Sequence, residues 1–264
     1  MLALREIFDT NPDKVASVKS QIRGLQQSAQ LSAGKLDIAQ LTVGIYACAK
    51  TLMPFDTGNR FPMIPYASLV LQGDRLLSAT EKAEEKTTDT ESPPIGGQHL
   101  TFQRALSLVK GTIFDHVAGG FHRYTVDPTW TVPHFEKMLY DNGLIVEFLS
   151  DCWQFGERSQ AIARAVDKTV NWLKREMRSP SGFFYAAQDA DNFTSADAVE
   201  PEKGDFYVWS HAELQSLLSK AELTALTHAF TVNESGNFEG KNVLQRREGT
   251  LLSDGLEAAL GSRI

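Results

Sequence analysis

The chain has 264 residues, of which 42% are hydrophobic and 22% are charged, and its formal net charge is -7. This composition is typical of a globular protein that folds as one large domain or two small ones. The acidic balance provides no basic field for a polyphosphate, so nucleic acid is not an expected partner. A small neutral or cationic ligand fits the charge better.

Two cysteines, Cys48 and Cys152, lie far apart without a CxxC pattern, so neither a disulfide framework nor a zinc ribbon is expected. The first residues show no cationic stretch followed by an apolar one. No segment approaches the roughly 18 apolar residues of a membrane span. The expectation is therefore a protein without membrane association, cytoplasmic by default.

The first part of the chain predicts two helices separated by a polar stretch. Apolar residues recur at spacings of three and four over 36–53, which indicates a helix with one buried face. Residues 79–98, ATEKAEEKTTDTESPPIGGQ, are too polar to offset their ordering entropy and predict a disordered insertion. A second helix is expected over 99–116, ending before Gly119 and Gly120.

The middle of the chain predicts a helical hairpin. Helical periodicity runs from Phe135 to about Gly156, and again over about 157–177, where Ser179-Pro180 ends it. Because so few residues join them, these two helices should lie antiparallel.

The last part predicts short extended segments followed by short helices. GFFYAAQDADN and GDFYVWS are aromatic runs bounded by Gly, Asp and Asn, which favour two strands. Capping patterns at Ser210-x-x-Glu213 and Ser219-x-x-Glu222 predict two helix starts. The inventory predicts a mainly α protein, in the form of a bundle, solenoid or toroid of antiparallel helical hairpins with small β-hairpin excursions.

The segment GGFHRYTVDPTWTVPHFEKMLYDN, residues 119–142, concentrates imidazole, carboxylate and aromatic side chains and predicts the lining of a polar pocket. The pairing of His122 with Arg123 can bind sugar hydroxyls or a carboxylate. Tyr124 or Trp130 offers a flat face to a pyranose ring. The competing interpretation is that Arg123 only pairs with Asp127 to hold the loop.

His134 and Glu136 stand at the expected start of the second hairpin, where Glu136 favours the positive end of the helix dipole. His134 can instead act as a general acid or base. On a helix, Lys137 and Asp141 would pair and Tyr140 would lie above Glu136. A structural network and an active site look alike in this pattern.

Glycoside hydrolysis requires two carboxylates, about 5 Å apart for retention or about 6.5 to 9.5 Å apart for inversion. The predicted pair is Asp189 or Asp191 with Glu136 or Asp141, although Asp residues are also common in turns. A sugar epimerase would instead need two bases on opposite faces of the ring, which His122 and His134 could supply. No HExxH pattern is present, and neither a metal nor a cofactor is expected.

Four motifs in order, GGFHRYTVDPTWTVPHFEKMLYDN, SGFFYAAQDADN, GDFYVW and GNFEGKNVL, resemble the spermatogenesis-associated protein 20-like family over about residues 35–244. The resemblance implies a thioredoxin-like domain followed by an (α/α)6 toroid of the six-hairpin glycosidase type, similar to N-acylglucosamine 2-epimerases. Residues 1–34 would then be the last helix of the thioredoxin-like domain and a linker, and 35–264 the first half of the toroid.

The chain departs from the family at three places. It lacks the cysteine motif of the thioredoxin-like domain, so no redox activity is inferred. Near Phe55 a shortened FDTGNRFP places Arg60 where the family has Lys. The chain also stops before a later family segment with Asp-Lys and Trp-Asn-Gly-Leu.

The expected function is carbohydrate processing or binding, either glycoside hydrolase-like or sugar epimerase-like, with a small molecule such as a sugar as ligand. An alternative is a noncatalytic scaffold or ligand-binding module that partners the thioredoxin-like domain. A third is a shortened product without activity of its own. The expected catalytic residues are His134, Glu136, Asp141, Asp189 and Asp191, and the expected substrate-binding residues are His122, Arg123, Tyr124, Trp130 and Tyr140.

Overall fold

A computed structural model describes residues 10–29, 37–54, 57–84, 96–193 and 199–247. The chain divides into two compact units, Met1–Leu41 and Thr42–Ile264. In the first unit, helix α1 spans Pro12–Ala29. Helix α2, Ile38–Leu52, begins in the first unit and continues into the second.

The second unit is built from helices that pack on one another. They are α3 (Ile64–Glu84), α4 (Gly97–Lys110), α5 (Leu139–Gln154), α6 (Gln160–Trp172), α7 (His211–Leu217) and α8 (Lys220–Ala229). Helix α4 contacts α3, α5 and α6, and α5 contacts α6 across a short connection. The predicted mainly α class and the hairpin of α5 and α6 are confirmed. In the described residues, no helix has both the length and the apolar character needed to cross a bilayer.

The core of this unit follows from the helical period of its apolar residues. Fully buried side chains on α3 to α6 include Leu71, Leu108, Phe148 and Ile162. Each contributes about 1.5–3 kcal/mol by leaving water. Burial of these faces fixes the position of the connections between the helices, and those connections carry the polar segment.

Three short antiparallel strand pairs lie in the connections. β1 (Tyr124–Thr125) pairs with β2 (Pro133–His134), and β3 (Lys137–Met138) pairs with β4 (Ala187–Gln188). β5 (Asp191–Asn192) pairs with β6 (Glu202–Lys203). These pairs confirm small β excursions on an α-helical framework.

Several element boundaries differ from the sequence prediction. Helix α5 begins at Leu139 rather than Phe135, because the residues before it are held in strands and Met138 has an extended backbone. Helix α4 ends at Lys110 rather than at residue 116, because the next residue, Gly111, has an extended backbone. The expected strand GDFYVWS instead forms a 3-10 turn, Asp205–Tyr207.

The predicted disordered insertion is also bounded differently. Helix α3 continues to Glu84 and α4 begins at Gly97, so the ends of the 79–98 stretch are helical. Residues 85–95 lie outside the described residues. Downstream, the capping box of α8 forms as predicted, with Ser219 and Glu222 each accepting a backbone N–H.

Candidate functional site

Six of the predicted site residues lie side by side where β1, β2 and the start of α5 meet. We call this group the Glu136 cluster: it consists of Arg123, Tyr124, His134, Glu136, Tyr140 and Asp141. The pairing of β1 with β2 sets Tyr124 opposite His134. The backbone N–H of Arg123 donates to the carbonyl of Glu136 at 2.9 Å, which brings their side chains together.

Glu136 is the centre of charge in the cluster. Its Oε2 accepts from Nη1 of Arg123 at 3.2 Å and lies 3.5 Å from Nδ1 of His134. The hydrogen bond to Glu136 is the main cause that raises the pKa of the Arg123 guanidinium. The ring of Tyr124 stacks on His134, with centroids 4.9 Å apart, and on Phe61 at 4.6 Å. Glu136 is therefore held next to two cationic or potentially cationic groups.

Asp141 lies in the first turn of α5 in a different environment. Burial raises the pKa of its carboxyl to about 6, against the opposing charge of Arg123 and the hydroxyl of Tyr140. Its Oδ2 is buried and has no hydrogen-bond partner among the described residues. The cluster thus combines a carboxyl whose pKa is raised toward neutrality with a carboxylate that accepts a hydrogen bond from a guanidinium.

The two downstream aspartates are exposed and do not sit equally close to the cluster. Gln188 pairs with Lys137 in the antiparallel pair of β3 and β4. The residue after Gln188, Asp189, therefore lies on the same side as the residue before Lys137, Glu136. Asp191 belongs to the separate pair of β5 with β6, opposite Lys203. Of the two, Asp189 is the one that the strand register brings toward Glu136.

Two predicted ligand contacts are buried instead. His122 is 1% exposed, and its Nδ1 bonds the carbonyl of Phe135 at 2.9 Å. Burial and the charge of Lys137 lower the pKa of His122 to about 3, so the imidazole is neutral. Trp130 is 4% exposed beneath the guanidinium of Arg60. Packed residues cover both side chains, and the contact of His122 and Trp130 with a ligand stays a prediction.

Three predicted pairings are also corrected. Lys137 does not pair with Asp141, and Tyr140 does not stand above Glu136 on a helix, because both Lys137 and Glu136 precede α5. Arg123 does not pair with Asp127. The carboxylate of Asp127 instead accepts backbone N–H groups of its own loop, from Thr129, Thr131 and Val132.

A buried ion pair, which the sequence did not predict, lies behind the cluster. The ammonium of Lys137 donates to Oδ2 of Asp115 at 2.7 Å and to the carbonyl of Gly119 at 2.8 Å. Their side chains are 1% and 8% exposed. Burial lowers the pKa of Lys137, and the charge of Asp115 opposes that change. Burial alone would raise the pKa of Asp115, but the positive charge of Lys137 lowers it to about 2. The short contact and the low pKa of Asp115 favour an ion pair.

A cavity of about 420 Å³ opens beside this pair, and no residue of the Glu136 cluster lines it. We call it the Lys137 cavity; it is lined by Val117, Ala118, Lys137, Trp172, Arg175, Glu176, Gln188, Phe206 and Tyr207. Helix α6 widens into a π-helix, Leu173–Met177, where it supplies Arg175 and Glu176. Single π turns inside helices occur often at functional sites. The residues that line the Lys137 cavity are distant in sequence, so the periodicity of the sequence did not reveal the cavity.

Among the described residues, no three His, Cys, Asp or Glu side chains are grouped so as to hold a metal ion. The groups that could bind a ligand are the exposed side chains of the Glu136 cluster and the polar wall of the Lys137 cavity.

No family model matches the chain. Spermatogenesis-associated protein 20 of Homo sapiens is 33% identical over 57% of this chain, and that of Mus musculus is 32% identical over 57%. An uncharacterised protein of Caenorhabditis elegans is 30% identical over 64% of the chain. The chain spans 21% of the length of both mammalian proteins and 24% of the nematode protein.

Proposed function

Starting from the membership of this chain in the spermatogenesis-associated protein 20-like family, we propose that the Glu136 cluster binds a carbohydrate and carries out acid–base chemistry on it. The observation that carries the proposal is the difference between two neighbouring carboxyl groups. Asp141 has a pKa raised to about 6, whereas Glu136 accepts a hydrogen bond from Arg123. Pairs of titratable groups with opposed environments often mark the acid and the base of a reaction.

In a hydrolytic reaction Asp141 acts as the general acid. Its proton passes to the oxygen of the leaving group, and the buried, unpartnered Oδ2 is the atom left in need of a hydrogen-bond partner. Glu136, which accepts the hydrogen bond of Arg123, acts as the nucleophile or as the base that activates water. His134, beside Glu136, receives or returns a proton in an epimerase version of the same site.

The remaining residues of the cluster serve to bind the sugar. Arg123 offers donors to hydroxyl oxygens, and the half-exposed ring of Tyr140 offers an apolar face to a pyranose. Asp189, exposed at the end of β4, adds an acceptor on the side of Glu136. Tyr124 holds His134 in place by stacking.

The architecture we propose for the longer family members is the (α/α)6 toroid of the six-hairpin glycosidase type, preceded by a thioredoxin-like domain. The antiparallel contact of α5 with α6 and the packing of α4 on α3 are compatible with such helical hairpins. In this arrangement the connection that carries β1, β2 and β3 lies at the rim where the ligand enters.

The test is a set of matched amide variants in the full chain. Asp141→Asn and Glu136→Gln should each lower turnover of aryl glycosides, or epimerisation of N-acylated sugars, by at least about 100-fold. Glu147→Gln, an exposed acid on the same helix α5, serves as the control and should keep full activity. Thermal stabilisation by a sugar panel measures binding separately. Loss of activity in the control, or no sugar effect on any protein, contradicts the proposal.

A second candidate function is a noncatalytic scaffold for a thioredoxin-like domain. It is favoured by the hydrogen bond of Arg123 to Oε2 of Glu136 and by the 3.5 Å approach of His134 to the same oxygen, which can hold the connection without any ligand. Under this hypothesis Glu136→Gln lowers the melting temperature and changes no rate.

A further inference from the structure

The Lys137 cavity has polar groups that the protein itself leaves uncommitted. An ammonium has three N–H donors, and Lys137 uses two of them for Asp115 and Gly119. The ammonium also lies 4.8 Å from the ring centre of Tyr207 and 5.3 Å from that of Trp172. Its remaining donor is therefore available at the floor of the cavity, between aromatic rings.

Arg175 stands at the mouth of the same cavity. Its Nε donates to Oε1 of Glu176 at 2.7 Å and its Nη2 donates to the carbonyl of Ala118 at 3.0 Å. Within the described parts of the chain, Nη1 of Arg175 has no hydrogen bond. The side chain is 52% exposed, so this donor can meet a ligand that enters from solvent.

The lining itself presents two cationic side chains and one acid. Lys137 and Arg175 line the cavity with Glu176, whereas Asp115, which pairs with Lys137, lies behind it and does not line the cavity. Val117 and the rings of Phe206 and Tyr207 supply apolar surface beside these cations. Two cationic donors next to aromatic rings suit an anion that carries an apolar body.

We propose that the Lys137 cavity binds a small organic monocarboxylate. The carboxylate accepts hydrogen bonds from Lys137 at the floor and from Nη1 of Arg175 at the mouth. The apolar body packs against Phe206 and Tyr207. This site shares no lining residue with the Glu136 cluster, and its ligand does not depend on the carbohydrate proposal.

The test uses three aromatic probes of similar size and different charge: benzoate, benzamide and benzylammonium. Binding is followed by calorimetry and by the NMR signal of the Trp172 indole N–H, which donates to Gln188 at 3.2 Å and is assigned with Trp172→Phe. Benzoate should bind with a dissociation constant of about 1 mM or lower, and at least about 10-fold more tightly than either other probe.

Variants at the mouth give effects of opposite sign. Arg175→Gln should weaken benzoate binding at least 10-fold, and Glu176→Gln should tighten it because the competing anion is removed. Arg158→Gln, an exposed arginine elsewhere, should leave it unchanged. Equal binding of benzamide, tighter binding of benzylammonium, a lack of effect of both mouth variants, or no benzoate binding overturns the proposal. Unfolding curves of each variant show that its fold is intact.

Discussion

The partly buried environment of Asp141 makes ionisation of its carboxyl unfavourable. Its folded-state pKa of about 6 exceeds the usual value of about 3.9 for an aspartate. Between these two pH values the folded state binds more protons than the unfolded state, so this group lowers stability as pH rises through the window. A group kept in so unfavourable a state is typical of a functional position.

The first prediction follows from this unfavourable ionisation. Asp141→Asn should raise the free energy of unfolding at pH 7 by about 1 kcal/mol, less than the whole pKa shift implies because solvent screens a half-exposed carboxyl. At pH 4 the gain should vanish. Urea denaturation at the two pH values measures the effect, with Glu147→Gln as the control. An equal gain at both pH values would show that ionisation of Asp141 is not the cause.

Lys137 and Asp115 give a second prediction at the same scale. Lys137→Met leaves the Asp115 carboxylate buried without its cation, which should cost about 3–5 kcal/mol. Adding Asp115→Asn to that variant should restore part of the loss, since the unpaired charge is then removed. A double-mutant cycle by denaturation measures the coupling between the two residues. Strict additivity of the two single effects would exclude the ion pair as the stabilising contact.

The close approach of helix α6 to the Gly119-Gly120 turn determines how the elements around the Lys137 cavity fit together. Gly120 has φ of +83°, and a Cβ there would lie 2.7 Å from the Trp172 ring. The same turn exposes the Gly119 carbonyl to Lys137 at 2.8 Å. Glycine at this point thus allows both the left-handed backbone and the contact with α6.

The third prediction compares two glycines. Gly120→Ala should destabilise the protein by about 3 kcal/mol through backbone strain and overpacking. Gly143→Ala, within α5 where an added Cβ meets nothing within 4 Å, should stabilise it by about 0.5–1 kcal/mol. Thermal unfolding of both variants is the measurement. If Gly120→Ala were as stable as the wild type, α6 could not be packed against this turn as described.

Helical periodicity predicted α2, α4, α5 and α6, but it did not predict α3 or the point at which α5 begins. The apolar spacing from Phe135 onward is compatible with a helix, yet Lys137 is held in a strand by pairing with Gln188, about fifty residues away. Such long-range pairing leaves no local pattern. In contrast, the Ser219 and Glu222 pattern depends on contacts within one turn, and it appears in the structure as predicted.

At the scale of the whole molecule, the sequence pointed to residues 119–142 as a polar segment, but it did not show which of their side chains are buried and which are exposed. Arg123, His134 and Glu136 are at the surface, as expected for a binding site. His122 lies in the same run of polar residues and is buried, because the ring packs between Phe135 and Tyr207. Tyr207 lies far along the chain, so no window of the sequence could reveal that contact.

The two buried histidines determine how the whole molecule responds to acid. Burial lowers the pKa of both His116 and His122 to about 3, against about 6.5 in an unfolded chain. Near pH 5 the unfolded state therefore binds two more protons than the folded state at these positions. Asp141, with its raised pKa, contributes one proton in the opposite direction. The balance is one proton taken up on unfolding, so stability should rise with pH.

The fourth prediction is the size of that slope. One net proton corresponds to an increase in unfolding free energy of about 1.4 kcal/mol per pH unit around pH 5. Asp141→Asn removes the opposing contribution and should make the rise of unfolding free energy with pH steeper than in the wild type. Urea denaturation between about pH 4.5 and 6, at constant salt, measures both slopes. A flat profile would mean that His116 and His122 take up protons in the folded state, and NMR of the imidazole nitrogens over the same range would then detect the charged rings.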